Sequence, residues 1–328
     1  MASSKTKTLL IYKYLVDYSD ENNPLSTTDL IDYLMKDGMF CERKSIYADI
    51  AVLKSVGFDI VRTYSPKKGF FLASRKFELP EVRLLIDAVT SAGFITPNKT
   101  KRLVEKLETL VSKNQAEELV SQVYIDSETK CDNEEIYYVI DALNDAIISK
   151  KQVTFKYKRR NIDKENKKSY TEKTFTVSPY ALIWEDDHYY LVCNNAKYDN
   201  FMNLRLDRMK KVEKLDDDAR CVEEISEYKG SFDVADYASK MFNMFSGVNS
   251  KVELLCDLEL REEIMDRFGA KIPLTAVDTD HFKTTIDAAV SDGLVSWIMT
   301  FGDKIKVIEP ESLAKSVKEK AKSIAALY

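Results

Sequence analysis

Between residues 43 and 53 the chain reads Arg43-Lys44-Ser45-Ile46-Tyr47-Ala48-Asp49-Ile50-Ala51-Val52-Leu53. At about 100° per residue, Ile46, Asp49, Ile50 and Leu53 share one arc, and Arg43, Lys44, Tyr47 and Ala48 the opposite one. The pattern predicts a helix with a core face and a cationic, aromatic face. Upstream, Leu9, Leu10, Tyr12, Tyr14, Leu15 and Val16 predict a first helix over 5–18, ended by Asn22-Asn23-Pro24. A second helix is expected around 28–34, capped by Ser26 or Thr27 and stopped at Asp37-Gly38. Downstream, two short apolar runs flank Ser65-Pro66-Lys67-Lys68-Gly69 and predict a hairpin. From Pro80 onward the spacing predicts helices over 81–92 and 98–110, the latter with Leu103, Leu107 and Leu110 on one face. Such a segment serves equally as an intramolecular bundle or as a dimer contact.

A further helix is predicted over 134–150, with Ile136, Ile140, Leu143 and Ile147 as its apolar stripe. The period then changes to two at 153–157, 175–177, 189–193 and 201–206, and short strands so spaced suggest a small barrel. Residues 251–308 read strand, helix, strand, strand, helix, strand, the order of a ferredoxin-like sandwich. A last helix, rich in lysine and alanine, starts at Glu309-Pro310-Glu311. Asp216-Asp217-Asp218 is expected to be a solvated linker.

With 328 residues, 45% of them hydrophobic and 31% charged, the chain is long enough for several globular domains. No apolar run approaches the roughly 20 residues of a membrane helix, and the first residues lack the apolar stretch of a signal peptide. The expectation is a soluble cytoplasmic protein with no membrane partner. Cys41, Cys131, Cys193, Cys221 and Cys256 are scattered, and only His188 and His281 could assist them. That spacing supports neither a zinc site nor a disulfide framework, so no metal or cofactor is expected. A net charge of −5 argues against indiscriminate coating of nucleic acid. Residues 1–78 hold 12 lysines and arginines against 10 acidic residues, a weak opposite bias.

Helix, turn, helix and a two-stranded wing place Arg43, Lys44, Ser45 and Tyr47 in the first turn of a helix of the right diameter for a major groove. Lys67 and Lys68 at the wing tip, with Arg62, Arg75 and Lys76 nearby in sequence, would meet phosphates, contacts that position without specifying. Taken alone, one charged face also fits an ordinary solvated helix. A second candidate site lies among the later strands. Ser178, Tyr180, His188, Tyr190, Arg205 and Arg208 offer hydroxyls, an imidazole and guanidinium forks that suit an anion. Alternation along a strand sets Arg205 and Arg208 on opposite faces unless the strand ends between them. The alternative is structural, with Arg208 paired to Asp207 or another carboxylate and Tyr189 and Tyr190 filling the barrel. Lys156-Tyr157-Lys158-Arg159-Arg160, continued through Lys164, Lys167, Lys168 and Lys173, forms a basic hairpin that is either a funnel for nucleic acid or a plain exposed loop.

On Arg43-Lys44-Ser45-Ile46-Tyr47-x-Asp49-Ile50, Gly57 and Gly69-Phe70-Phe71-Leu72, the chain resembles winged helix-turn-helix regulators that carry a WYL domain. Ala48 stands where family members commonly have arginine, which implies one contact fewer. The resemblance continues through Ser178-Pro179-Tyr180-Ala181-Leu182, His188-Tyr189-Tyr190-Leu191-Val192 and Leu204-Arg205-Leu206-Asp207-Arg208-Met209, with Tyr189 in the place of the family's tryptophan. Ser296-Trp297-Ile298-Met299 resembles part of the WCX-type extension that follows many WYL domains. The expected fold is α+β and multidomain. It comprises a winged helix-turn-helix over 1–78, a helical linker over 79–132, an Sm-like or SH3-like small β-barrel over 133–228 and a ferredoxin-like dimerisation domain over 229–328. The resemblance implies a homodimer on double-stranded operator DNA, with the barrel sensing a nucleotide or short single-stranded nucleic-acid effector. Two other classes compete: an Sm-like binder of RNA or single strands, and a nucleotide-processing enzyme. The chain shows no glycine-rich phosphate loop and no motif joining His188 or His281 to a nucleophile, so an enzyme is not expected.

Overall fold

The computed structural model describes residues 4–121, 128, 130–162, 168–229 and 232–328. It divides into two units, Met1–Glu134 and Glu135–Tyr328.

The first unit begins with helices α1 (Ser4–Tyr18), α2 (Thr27–Lys36) and α3 (Arg43–Ser55). The Ser26 side chain accepts from the Asp29 amide while Asp29 accepts from the Ser26 amide, a reciprocal cap that fixes where α2 starts. Gly38, at φ +73°, follows the end of α2. The antiparallel hairpin β1 (Ile60–Thr63) and β2 (Gly69–Leu72) pairs Ile60 with Leu72 and Thr63 with Gly69. Ile11, Leu15, Leu30, Leu34, Ile46, Ile50, Leu53 and Phe70 form the shared core, which uses the predicted inner arc of α3, the buried Asp49 included.

Leu25 exchanges two backbone hydrogen bonds of 2.8 Å with Phe70 beside the hairpin. A Cβ on Gly69 would sit 2.7 Å from the Leu25 carbonyl oxygen. Gly69→Ala is therefore expected to splay this bridge and cost about 1–3 kcal/mol. Denaturant unfolding of the purified variant checks the value.

Helices α4 (Leu79–Ser91), α5 (Pro97–Glu108) and α6 (Lys113–Val120) complete the unit around Val82, Ile86, Val104 and Leu119. The apolar spacing does not predict α6. Its cap residue, Ser112, donates to Asp20 at 2.5 Å, and Lys113 donates to the Tyr18 hydroxyl at 2.8 Å, so α6 is tied to the end of α1. Arg75 was expected near phosphate. Instead its Nη2 donates to the Val16 and Ser19 carbonyl oxygens, 2.8 Å each, satisfying backbone groups left open at the end of α1.

In the second unit α7 (Ile136–Ser149) packs across β3 (Lys151–Ile162), β4 (Lys168–Glu185) and a later strand of the same sheet. Its fully buried stripe is Ile136, Val139, Leu143 and Ala146; Ile140 and Ile147 lie at the edge of it, a small rotation from the predicted face. Strands β5 (His188–Asn194), β6 (Met202–Arg205) and β7 (Met209–Asp218) complete an antiparallel sheet in the order β6-β5-β4-β3-β7.

The predicted barrel is not closed: among the described residues no ladder joins β6 to β7. The sheet is nevertheless strongly rolled. Five flat strands would hold their outer edges about 19 Å apart. The chain crosses from β6 to β7 through one 3-10 turn, Leu206–Arg208, which rises only about 6 Å. Asp216-Asp217-Asp218 also departs from expectation, being the exposed end of β7 rather than a linker. Lys151 ties it down, with Nζ 2.8 Å from Asp218.

Helix α8 (Val234–Lys240) covers the face of the sheet that bears Tyr190 and Val192 through Tyr237, joined by Met241 just past its end. There follow β8 (Val248–Asp257), α9 (Arg261–Phe268), β9 (Leu274–Ala276), β10 (His281–Val290), α10 (Asp292–Thr300), β11 (Ile305–Glu309) and α11 (Glu311–Ala325). The sheet order is β11-β8-β10-β9, with Val252, Leu254, Phe282, Ile286, Leu294 and Ile298 beneath its helices. Trp297 packs edge-on against Phe268 and Phe301 at the rim of this core.

Candidate nucleic-acid interface and anion site

The first turn of α3 carries Arg43 and Lys44, both exposed, and Glu42, the residue before the helix, makes no side-chain cap. Ser45 turns partly inward and accepts a hydrogen bond from Lys7 on α1. Lys7 also pairs with the buried Asp49 at 2.8 Å, and Thr8 donates to Asp49 at 2.7 Å. These bonds fix the rotation of α3 about its own axis and so hold the Arg43–Lys44 face outward. Tyr47 is half-buried, with its ring edge-on to Phe70 of the hairpin at 5.8 Å.

Around Tyr47 the hairpin builds a cluster that spacing alone does not reveal. The Arg62 guanidinium lies 5.8 Å from the Tyr47 ring centre and 5.2 Å from that of Tyr64, and Lys68 sits 5.7 Å from Tyr64. Tyr64 is 66% exposed. Arg43, Lys44, Tyr47, Arg62, Tyr64 and Lys68 thus belong to one helix start and one hairpin that share a core, and stacked arginine keeps its outer donors available. Lys67, by contrast, pairs with Asp29 of α2 at 3.1 Å. Burial disfavours the Asp29 charge, but the Ser26 amide and Lys67 outweigh it and hold that carboxyl below its ordinary value.

The second candidate set separates into two places. Arg205 ends β6 opposite Tyr190 of β5. Its Nε and Nη2 donate to the two Asp207 oxygens at 3.0 and 2.7 Å, a two-pronged pair whose side chains are 26% and 14% exposed. Burial works against the guanidinium charge and the Asp207 bonds more than restore it, so Arg205 is held above its ordinary value. The strand ends at Arg205 and the 3-10 turn follows, so alternation no longer separates Arg205 from Arg208. The Arg205 amide donates to the Tyr157 hydroxyl at 3.3 Å, and Arg208, itself exposed, reaches the same phenol. Burial pushes the phenols of Tyr157 and Tyr190 up; the Arg208 guanidinium and the Arg205 amide pull Tyr157 the other way, and both guanidiniums do so for Tyr190. His188 stands 6.2 Å from Tyr190, ring to ring, with Nδ1 2.5 Å from the Asp186 carbonyl oxygen.

Ser178 and Tyr180 lie elsewhere. Ser178 pairs with Asn194 at the far end of β5, six residues or about 20 Å along the strand from His188. Tyr180 is the extra residue at a bulge between Pro179 and Ala181. Both serve Arg220: its amide donates to Ser178 Oγ at 2.9 Å, and its carbonyl accepts from the Tyr180 hydroxyl at 3.0 Å. Burial pushes the Tyr180 phenol up to about 12. The cluster at the β6 end is therefore Tyr157, His188, Tyr190, Arg205, Asp207 and Arg208. Sequence reasoning missed Tyr157, whose place in the alternating run 153–157 marks only a core position. The Arg205–Asp207 pair was also not anticipated.

The basic hairpin continues as the β3–β4 ladder from Lys156 to Ile162, with Lys158 over the Tyr170 ring at 5.3 Å. Lys164 and Lys167, and the side chains of Arg160 and Lys168, lie outside the described residues. No group of His, Cys, Asp or Glu among the described residues is arranged to hold a metal ion, and no described helix is long and apolar enough to cross a membrane.

Comparison with curated proteins finds no match. Among solved structures the chain is similar to proteasome accessory factor B/C (PafBC) of Arthrobacter aurescens, at 16% identity and a TM-score of 0.28. That alignment covers 96% of this chain and 45% of the other, so the chain spans less than half the length of that protein. It is also similar to a CRISPR Cas-related protein, at 12% identity and a TM-score of 0.36, covering 100% of this chain and 87% of that one. Two domain families match directly, WYL over residues 138–214 and WCX over residues 249–325. The rolled sheet with its Arg205 cluster therefore belongs to a WYL domain, and the chain continues into a WCX domain.

Proposed function

We propose that the protein is a homodimeric, ligand-responsive transcriptional regulator of the cytoplasm that binds double-stranded operator DNA and has no enzymatic activity or cofactor. In this reading residues 1–78 are a winged helix-turn-helix, 79–132 a helical linker, 133–228 the WYL sensor and 229–328 a ferredoxin-like, WCX-type dimerisation domain. The observation that carries it is the joint surface of α3 and the hairpin, where exposed Arg43 and Lys44 flank Tyr47 and the Arg62–Tyr64–Lys68 cluster. A helix start of this kind fits a major groove, and cations on an adjacent wing fit phosphates. Arg43, Lys44 and Tyr47 are assigned to base edges, and Lys68 and Arg62 to the backbone. Ser45 and Lys67 have internal partners and take supporting roles.

The WYL sheet supplies the sensor. Tyr190, Arg205 and Arg208, with His188 beside them, take an anionic effector, a nucleotide or short single strand, and binding changes the disposition of the two DNA-reading helices. Ser178 and Tyr180 shape the opposite end of the sheet.

Selection from a randomised duplex pool, followed by gel shift of the selected sequence as duplex DNA, single-stranded DNA and RNA, tests the assignment. The proposal expects the duplex to be preferred over both at physiological salt. Equal or stronger binding of the RNA would favour an Sm-like RNA binder instead.

A further inference from the structure

Resting on the reading of the Arg205 cluster as an effector site, we propose that Asp207 is an internal counter-anion that reserves this site for a phosphate monoester, the terminal phosphate of a nucleotide or oligonucleotide. Two Arg205 nitrogens, Nε and Nη2, already donate to one carboxylate, at 3.0 and 2.7 Å. Asp207 lies two residues further on in the same turn, so it competes at a high effective concentration set by the chain itself. A ligand anion must displace it or add to it.

A phosphodiester carries a single negative charge, no more than the carboxylate it would replace, and gains little from the exchange. A phosphate monoester carries about −1.5 to −2 at neutral pH and offers three acceptor oxygens. The surroundings match that larger demand. The exposed Arg208 stands one residue beyond Asp207 and shares the Tyr157 phenol with the Arg205 amide. Two guanidiniums and the phenol of Tyr190, across the ladder from Arg205, can then divide three oxygens among them. Asp207 thereby raises the threshold that any anion must pass; the extra charge and third oxygen of a monoester, met by Arg208 and Tyr190, clear it, and internal backbone phosphates fall below it.

Calorimetry on the full chain decides the matter, with a 5′-phosphorylated tetradeoxynucleotide and the same tetranucleotide ending in a 5′-hydroxyl as probes. The wild-type chain is expected to bind the phosphorylated probe at least about tenfold more tightly. In Asp207→Asn both affinities should rise by a similar factor, because the internal competitor is gone, and the probe ending in a hydroxyl should then bind measurably. Asp207→Ser serves as a second variant, and the wild-type comparison stands without either. Equal affinity of the two probes for the wild type, or unchanged affinities in a folded Asp207 variant, would overturn the role of Asp207 while leaving an effector site in place. Binding of neither probe by wild type or variant would overturn the effector site itself and this inference with it.

Discussion

Replacing Arg43 and Lys44 together by alanine is expected to weaken duplex binding by at least about thirtyfold. Loss of a base contact costs about 1–3 kcal/mol, so the pair should cost roughly 2–6 kcal/mol. Both side chains are exposed at the start of α3. The core beneath them does not depend on either, since Ile46, Asp49, Ile50 and Leu53 supply the buried arc. The variant should therefore melt like the wild type while losing affinity. Fluorescence anisotropy over a range of salt also reads the mechanism. The slope of log affinity against log salt should change little, since both side chains are assigned to base edges, whereas Lys68→Ala should make it shallower by about 0.9. Lys54→Ala, in the last turn of the same helix, is the control and should change little. An unchanged affinity in Arg43→Ala/Lys44→Ala would remove α3 from the interface.

Phe155→Ala should be the most damaging single substitution for the fold of the WYL sheet, at about 3–5 kcal/mol. Phe155 is 1% exposed, its ring stacked on Phe175 at 5.9 Å and edge-on to Tyr157 at 6.4 Å. Truncation leaves a cavity where three aromatic rings meet, and the rolled sheet has little freedom to collapse onto it. For a unit of this size the melting temperature should fall by about 10 °C. The effect should also reach function, because the Tyr157 hydroxyl accepts from the Arg205 amide at 3.3 Å. Phe155→Leu should recover much of both losses. Scanning calorimetry showing a loss below about 1 kcal/mol in Phe155→Ala would mean that the aromatic cluster is not a core.

The helices of the first unit could be read from the chain because each buries one arc at regular spacing and carries its own start signal. Ser26 three residues before Asp29 is such a signal. Ser112 three residues before Gln115 is another of the same kind, and it marks α6, which apolar spacing alone passes over. Strand β7 was hidden for a different reason. Its pairing with β3 shifts register twice, between Lys151 and Val153 and between Thr154 and Lys156, so the strand's charged residues show no clean alternation. The candidate anion site was only half readable. Residue types pointed to Arg205, Arg208 and Tyr190, but a period of two cannot reveal that β6 stops at Arg205 and turns. Ser178 looked equivalent to them because distance along a ladder, unlike residue type, is not written in the local sequence. Arg75 illustrates the same limit: its acceptors, Val16 and Ser19, lie more than fifty positions away.

Sedimentation velocity of the intact chain, alone and with its selected duplex at about 0.15 M salt, tests the central claim most directly. The account predicts a dimer that carries one duplex, and loss of that complex with retention of the dimer in Arg43→Ala/Lys44→Ala. A single protomer that sediments apart from the duplex would contradict it.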